Sequence, residues 1–259
     1  MNATFTVDSR SVLWMIFCLI TSGLLMLVTA IHSRADTLVL SSLNWPPYSG
    51  ETLKGGGASV VVARAALNAM GHELKVDYYP WSRTIRVVNR EDSIYMGYFP
   101  EYYHPTDQFV FSSSMGESPL GIIEHHLFPM QWSRITDLNR YTLGVVRDYV
   151  NTLELDEMID SGRQPVETVS SDEHNIRKVA TGRIPGAVMD LYVFNYLVAQ
   201  PHLVGLGEKL QINKQLLDTK KLYVAFKNSD EGIKWREIYN EGLARIDINQ
   251  VVDEYLKSL

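Results

Sequence analysis

Residues 142–197 alternate between short apolar stretches and stretches with helical spacing, and this order restricts the fold more than any other feature. The pattern predicts three strands, each followed by a helix. Such an alternation predicts a mostly parallel sheet covered by helices, with ligands bound beyond the carboxyl ends of the strands. Asp190 falls at one of these ends. The predicted strands are 142–146, 166–169 and 186–190, and the predicted helices are 152–161, 170–182 and 191–199.

The middle helix of this segment has its own start and stop signals. Ser170 and Glu173 have the spacing of a capping box, in which the serine hydroxyl bonds the third helical amide and the glutamate reaches back. Gly182 suits the left-handed residue that ends a helix. We therefore expect a helix that begins at Ser170 and ends at Gly182.

The flanking residues show a similar alternation. Residues 37–128 predict a β-α-β-α-β order followed by further extended pieces, and the residues after 220 predict one strand and two helices. A late strand and helices after a completed α/β unit indicate that the chain returns to its first half. The predicted strands are 37–43, 73–79, 93–99, 109–111, 121–128 and 222–226, and the predicted helices are 58–70, 80–88, 231–246 and 250–257.

This order predicts two lobes with a cleft between them. Lobe 1 is predicted to hold residues 36–125 and 220–259, and lobe 2 residues 126–219. The chain then passes between the lobes twice, near residues 122–130 and 214–223. A cleft with two such crossings opens and closes by hinge motion.

An uncharged apolar run occupies residues 12–31, with Arg10 just before it and the small residues Ser33 and Ala35 after it. This pattern is typical of a secretory signal peptide, so residues 1–35 are predicted to be removed on export. The run is also about as long as a membrane span needs, and a retained anchor is the alternative. The only cysteine, Cys18, lies within the run, so we expect no disulfide after cleavage.

Charge and motifs exclude several classes of function. The chain carries 24 Lys and Arg against 30 Asp and Glu, whereas nucleic-acid binding needs a basic face. The sequence has no nucleophile elbow and no H-E-x-x-H motif, and the adjacent His125 and His126 would point to opposite faces of a strand. We therefore expect no metal, no cofactor and no catalytic residue.

Four segments, taken together in their order and spacing, resemble a known family. They are the NWPPY loop at 44–48, Pro80-Trp81-x-Arg83, FVFSSS at 109–114, and GVVRDY followed by SDEHNIRKVATGRI and VMD. The chain resembles the periplasmic solute-binding proteins of the type II fold that serve polar amino-acid ABC transporters, known as family 3. The resemblance covers residues 36–259. It implies an α/β fold of two lobes, with mostly parallel sheets flanked by helices and two hinge crossings.

The resemblance also implies where a ligand binds. In that family an aromatic residue of the first loop and residues near the FS segment line the cleft on one lobe. The other lobe contributes a helix N-terminus and an acidic residue that meets the ligand ammonium, and Asp190 matches that residue. The matching positions are Trp45, Tyr48, Ser112, Ser113, Ser114, Arg147, Asp148, Tyr149 and Asp190.

Three further residues are candidates from their own chemistry. Trp81 is an aromatic residue of the kind that walls ligand sites, Arg83 is a donor for an anion, and Tyr98 ends a predicted strand. Amino-acid-binding members of the family usually hold an arginine near the FS segment that grips the α-carboxylate, but residues 114–128 contain none. Either Arg83 or Arg147 replaces it, or the ligand is not a standard α-amino acid.

The resemblance implies a binding protein of the periplasm. We expect a monomer that closes on a small polar solute and delivers it to the membrane permease of an ABC transporter. A sensory module with the same cleft is the first alternative, and a retained anchor would favour it. The second is a dehydratase-like enzyme, with Glu101, Glu117 or Glu124 as a general acid. Each candidate also has an ordinary structural interpretation: Asp190 as a helix cap, the aromatic residues as packing and the arginines as solvated surface groups.

Overall fold

The computed structural model describes residues 35–258. The segment predicted to be a signal peptide or anchor, residues 1–35, lies outside the described residues except for Ala35. Within the described range no helix is long and apolar enough to cross a bilayer.

Strands and helices alternate along most of the described chain. The strands are β1 (Thr37–Ser42), β2 (Glu73–Tyr78), β3 (Gly97–Tyr102), β4 (Phe109–Phe111), β5 (Gly116–His125), β6 (Leu143–Val146), β7 (Val166–Val169), β8 (Gly186–Asp190), β9 (Leu210–Ile212) and β10 (Asp218–Lys227). The α-helices are α1 (Ala58–Ala69), α2 (Trp81–Val88), α3 (Leu153–Asp160), α4 (Asp172–Ala180), α5 (Leu191–Val198), α6 (Val204–Gly207), α7 (Asp230–Ala244) and α8 (Ile248–Lys257). Short 3-10 helices occupy Lys54–Gly56 and Ile135–Arg140.

Two sets of parallel strands are joined by two long antiparallel strands. β1 pairs in parallel with β2 and β3, and β6 pairs in parallel with β7 and β8. β10 pairs with β3 and β4 at one end, and β5 pairs with β8 and β9 at the other. We call the half with β1–β4, α1, α2, α7 and α8 the first lobe, and the half with β6–β9 and α3–α6 the second lobe.

The long strands β5 and β10 pass between the lobes side by side. Gly116–Leu120 of β5 pairs with Asp218–Leu222 of β10, and Leu120–Glu124 pairs with β8. The predicted second crossing, 214–223, includes the paired segment of β10, whereas the predicted first crossing, 122–130, begins after the paired segment of β5. The lobe boundaries 36–125, 126–219 and 220–259 stay a prediction.

The largest buried apolar cluster extends from the first lobe into the second. It contains Leu38, Leu40 and Phe99 of the first lobe together with Leu143 and Val188 of the second. Burial of apolar surface is worth roughly 25 cal/mol per Å², so this continuity favours contact between the lobes. In the first lobe α1 packs against α7 and α8.

The predicted capping box at the start of α4 is wrong. The N-cap is Ser171, and its side chain makes no capping hydrogen bond. The hydroxyl of Ser170 instead lies 3.2 Å from Nδ1 of His174. Glu173 forms an ion pair with Arg177, and its carboxylate lies 3.2 Å from Nε2 of His202. Side-chain partners along and beyond the helix thus outcompete the backbone amide for the Glu173 carboxylate. β3 and β5 are also displaced from their predicted ranges, and α6 and β9 were not predicted.

Candidate functional site

Asp190 lies where the two lobes meet, at the carboxyl end of β8. Its Oδ1 atom accepts a 2.8 Å hydrogen bond from the Val193 amide, so Asp190 is the N-cap of α5. Its Oδ2 atom accepts a 2.9 Å hydrogen bond from the Tyr48 hydroxyl and another from the Ser118 hydroxyl. Burial raises the pKa of Asp190, and these three bonds lower it. The carboxyl group therefore caps a helix of the second lobe and joins it to a loop of the first.

The NWPPY loop presents Tyr48 to Asp190. The Trp45 and Tyr48 rings stack with their centroids 4.6 Å apart, and the Tyr48 amide donates a 3.0 Å hydrogen bond to the Trp45 carbonyl. Gly57 packs against the loop with φ at 104°, where a Cβ atom would lie 2.5 Å from the Tyr48 carbonyl oxygen. Only glycine takes that conformation at no steric cost. The loop is therefore held by the contacts between Trp45 and Tyr48 and by the close packing of Gly57 against its backbone.

A second contact between the lobes joins Trp81 to Asp148. The indole Nε1 of Trp81 donates a 2.8 Å hydrogen bond to the Asp148 carbonyl, and the Ser82 hydroxyl donates to the Asp148 carboxylate. Asp148 has φ at 62°, a left-handed conformation that Asp and Asn adopt more readily than other side chains. The ring of Tyr149 packs edge-on against Trp81, with centroids 6.0 Å apart.

A small aromatic cavity lies at this contact between the lobes. Its volume is about 30 Å³, which is room for little more than a water molecule. It is lined by Trp45, Trp81, Tyr102, Tyr149 and Glu101, together with Leu43, Pro100 and Val150.

Three buried carboxyl groups lie in or behind the walls of the cavity. Glu101 lines it, Asp172 accepts a hydrogen bond from the wall residue Tyr149, and Asp190 accepts one from Ser118, which bonds the wall residue Tyr102. Glu101, Asp172 and Asp190 are 5%, 6% and 2% exposed. Burial raises the pKa of Glu101 to about 8 and that of Asp172 to about 7. Within residues 35–258, no three His, Cys, Asp or Glu side chains converge in a way that could hold a metal ion.

The hydroxyl of Tyr102 lies among these carboxyl groups. It bonds Ser118 Oγ. Burial raises the pKa of Tyr102, and the charges of Asp190, Asp172 and Glu101 raise it further. Lys220 provides a cation nearby, with Nζ 5.5 Å from the Tyr102 ring centroid.

Polar groups around the cavity keep unused hydrogen-bonding capacity. The Tyr102 amide donates to Glu101 at 2.7 Å, and the Tyr149 hydroxyl donates to Asp172 at 3.2 Å. A carboxyl group keeps acceptor capacity beyond one hydrogen bond even when it is protonated, so both groups can accept more donors. Trp45 Nε1 is buried and has no hydrogen-bond partner within residues 35–258. Its effect in lowering the pKa of Asp172 indicates that it faces that carboxyl group.

The sequence-predicted residues divide into two groups. Trp45, Trp81 and Tyr149 line the cavity, Tyr48 and Asp148 make contacts between the lobes, and Asp190 holds Tyr48. Tyr98 is buried behind Trp81, with ring centroids 5.5 Å apart.

The serines and arginines lie elsewhere. The Ser112 hydroxyl accepts from the Val224 amide, and the Ser113 amide donates to Asn240 of α7. Arg83 is exposed, with its guanidinium carbon 4.7 Å from the Tyr79 ring centroid. Arg147 is also exposed. Ligand roles for these four residues stay predictions.

Sequence reasoning chose Tyr98 over Tyr102 as the cleft tyrosine, missed Asp172 and considered Glu101 only as a general acid. Tyr98, Pro100 and Tyr102 occupy alternate positions of β3, which continues to Tyr102 instead of ending at Phe99. Reading the strand through Pro100 would have placed Tyr102 on the same face as Tyr98. Asp172 carries no such signal, because an acidic residue in the first turn of a helix is ordinary.

Solved structures of low sequence identity match this chain closely in shape. A histidine kinase sensor domain with similarity to periplasmic binding proteins has a TM-score of 0.72 at 16% identity, covering 87% of this chain and 96% of its own. The fold is that of the type II periplasmic binding proteins. An ancestral arginine-binding protein bound to arginine has a TM-score of 0.69 at 15% identity, covering 86% of this chain and 97% of its own. An amino acid ABC transporter substrate-binding protein from Streptococcus pneumoniae, bound to L-arginine, has a TM-score of 0.66 at 14% identity, covering 88% and 98%.

These matches confirm the two-lobed α/β fold predicted from the sequence. The sequence itself matches no family model and no curated protein. Similarity at this level of identity establishes the fold alone, and the function depends on the side chains that this chain places on the fold.

Proposed function

We propose that this protein is an extracytoplasmic solute-binding protein, which captures a small polar solute between its lobes for an ABC transporter permease. The observation that carries the proposal is the aromatic cavity with buried carboxyl groups at the contact between the lobes. Ligand sites combine apolar walls with a few polar groups that fix orientation, and this cavity has both. The fold is shared with a substrate-binding protein of such a transporter. No chemical step is assigned to it.

The proposed cycle uses the two contacts between the lobes. Separation of Tyr48 from Asp190 and of Trp81 from Asp148 opens the cleft, with β5 and β10 as the hinge. A solute then stacks on the aromatic walls, and its cationic group takes acceptor sites on Asp190. Closure of the lobes around the solute restores their contact and removes the solute from water.

The test is a thermal-shift screen of the purified protein against amino acids, polyamines and small carboxylates. A solute that binds only the folded protein raises the unfolding midpoint. For any cationic solute that raises it, Asp190→Asn should remove most of the shift, since Asn still caps a helix but carries no charge. Asp247→Asn is the matched control because Asp247 is the exposed N-cap of α8. Equal shifts in both variants would exclude Asp190 from the site.

The second candidate is a sensory module that reports a solute to a partner. It is favoured by the similarity to a histidine kinase sensor domain. The two candidates predict different fates for residues 1–35. A solute carrier that is released into the periplasm loses these residues, whereas an anchored sensor keeps them. Mass spectrometry of the membrane fraction distinguishes them: an intact N-terminus there contradicts the transport role, and a mature N-terminus near residue 36 in the periplasmic fraction contradicts the anchored sensor.

A further inference from the structure

Resting on the proposed function, we infer that the solute is an organic cation without a free carboxylate, of the diamine or guanidinoalkylamine class, and that Glu101 and Asp172 bind its cationic group together with Asp190. The site is the aromatic cavity between the lobes. Three independent features of the cavity carry this inference: its charge, its unused acceptors and its walls.

Acidic groups outnumber basic groups around the cavity. Glu101, Asp172 and Asp190 are all buried, and the nearby cation is Lys220. Lys220 is also shared with Asp218, whose carboxylate lies 3.9 Å from Nζ. Burial favours the protonated forms of Glu101 and Asp172. A cationic solute would favour their ionised forms, whereas the carboxylate of a zwitterionic solute would oppose ionisation. Isolated buried charges are costly unless they are paired.

The cavity also offers acceptors in excess of donors. Glu101 and Asp172 each accept one hydrogen bond from a neighbouring side chain or amide and keep further acceptor sites. Ammonium and guanidinium groups are donors without an acceptor, and charge-assisted bonds to carboxylates are the strong ones. A solute that brings donors would occupy the acceptor sites that Glu101 and Asp172 keep.

The aromatic walls favour the same class of solute. Trp45, Trp81, Tyr102 and Tyr149 present indole and phenol rings to the cavity. Cations are attracted to the faces of such rings, most strongly to Trp, when both are shielded from water. Lys220 already lies near Tyr102 in this way. An alkyl chain between two cationic groups would pack against the remaining ring surface.

Binding of agmatine and L-arginine to the purified protein, measured by isothermal titration calorimetry, tests the inference. The two compounds share the guanidinium group and the alkyl chain, and only L-arginine carries a carboxylate. We expect agmatine to bind at least tenfold more tightly than L-arginine. Equal or tighter binding of L-arginine overturns the inference and leaves the proposed function standing. If neither compound binds, and neither 1,4-diaminobutane nor any solute of the thermal-shift screen binds, the proposed function is contradicted as well.

Variants test the residues. Asp172→Asn should weaken agmatine binding at least tenfold. Asp230→Asn is the matched control and should change the affinity less than twofold. Each of the two residues is the first of its helix, but Asp172 of α4 is buried and Asp230 of α7 is exposed. Glu101→Gln is the second variant, which keeps an acceptor for the Tyr102 amide. Retention of full agmatine affinity in both folded variants would remove Glu101 and Asp172 from the site.

Discussion

The Tyr48 hydroxyl donates a 2.9 Å hydrogen bond to Oδ2 of Asp190, and this bond joins the NWPPY loop of the first lobe to the cap of α5 in the second. The same hydroxyl lies 3.1 Å from the carbonyl oxygen of Glu117, on the strand that connects the lobes. Tyr48 therefore links both lobes and the hinge between them.

We expect Tyr48→Phe to lower the free energy of unfolding by about 1–2 kcal/mol, because the buried Asp190 carboxylate loses a donor that the phenyl ring cannot replace. Urea unfolding followed by circular dichroism measures the change. Tyr103→Phe is the control, since the Tyr103 side chain is 60% exposed, and exposed substitutions usually change stability by less than about 0.5 kcal/mol. Equal effects of the two variants would contradict the role of the Tyr48 hydroxyl.

Trp81→Phe should shift the protein towards an open arrangement of the lobes. The variant keeps an aromatic ring but loses the indole donor to the Asp148 carbonyl, a bond worth about 1 kcal/mol and hence roughly a fivefold change in population. Small-angle X-ray scattering should show a larger radius of gyration.

The matched control for Trp81→Phe is Trp132→Phe. Trp132 Nε1 donates a 3.0 Å hydrogen bond to Asn213 Oδ1, and both residues fall within the predicted second lobe, residues 126–219. The same chemical loss within one lobe should leave the radius of gyration unchanged. A larger radius in both variants would mean that general loosening, and not separation of the lobes, is the cause.

The stability of the protein should fall as the pH rises from about 5 to 9. Burial raises the pKa of Glu101 from its ordinary 4.5 to about 8, so between these values the folded protein holds a proton that the unfolded chain releases. The free energy of unfolding therefore decreases with rising pH across this window. Tyr98 and Lys220 face the same carboxyl group and lower its pKa only in part.

Glu101→Gln isolates this effect. The amide does not titrate, so the variant should lose less stability than the wild-type protein between pH 5 and pH 9, by on the order of 3 kcal/mol. Urea unfolding at several pH values measures the two slopes. A residual slope is expected from Asp172, whose pKa burial raises to about 7. Identical slopes in both proteins would show that Glu101 is already ionised near pH 5.

Gly57→Ala should disrupt the NWPPY loop. The added Cβ atom would lie 2.5 Å from the Tyr48 carbonyl oxygen, at a backbone φ of 104°. Gly71→Ala is the control, since Gly71 has φ at 78° and open space around its Cβ position. Both variants carry backbone strain of about 1–3 kcal/mol. The unfolding midpoint of Gly57→Ala should fall further, and a smaller fall than in Gly71→Ala would contradict the proposed contact.

Local pattern was enough to predict most elements of this fold. The strands Val166–Val169 and Gly186–Asp190 have their predicted bounds, because short apolar strands between turn residues carry their signal within a few positions. The position of Asp190 at a strand end followed from the alternation of strands and helices. The start of α4 could not be predicted from local pattern, because the partners of Glu173 include His202, which lies 29 positions away in the sequence.

The sequence by itself determined the order of strands and helices, the two-lobed fold and the place of Asp190 within it, since hydrophobic spacing and strand order act over neighbouring residues. Only the tertiary structure decided which side chains line the cavity or lie behind its walls. Glu101 comes from β3, Asp172 from α4 and Lys220 from β10, and their chemistry depends on mutual burial across the two lobes. No local spacing encodes that burial, because it arises only when β5 and β10 bring the lobes together.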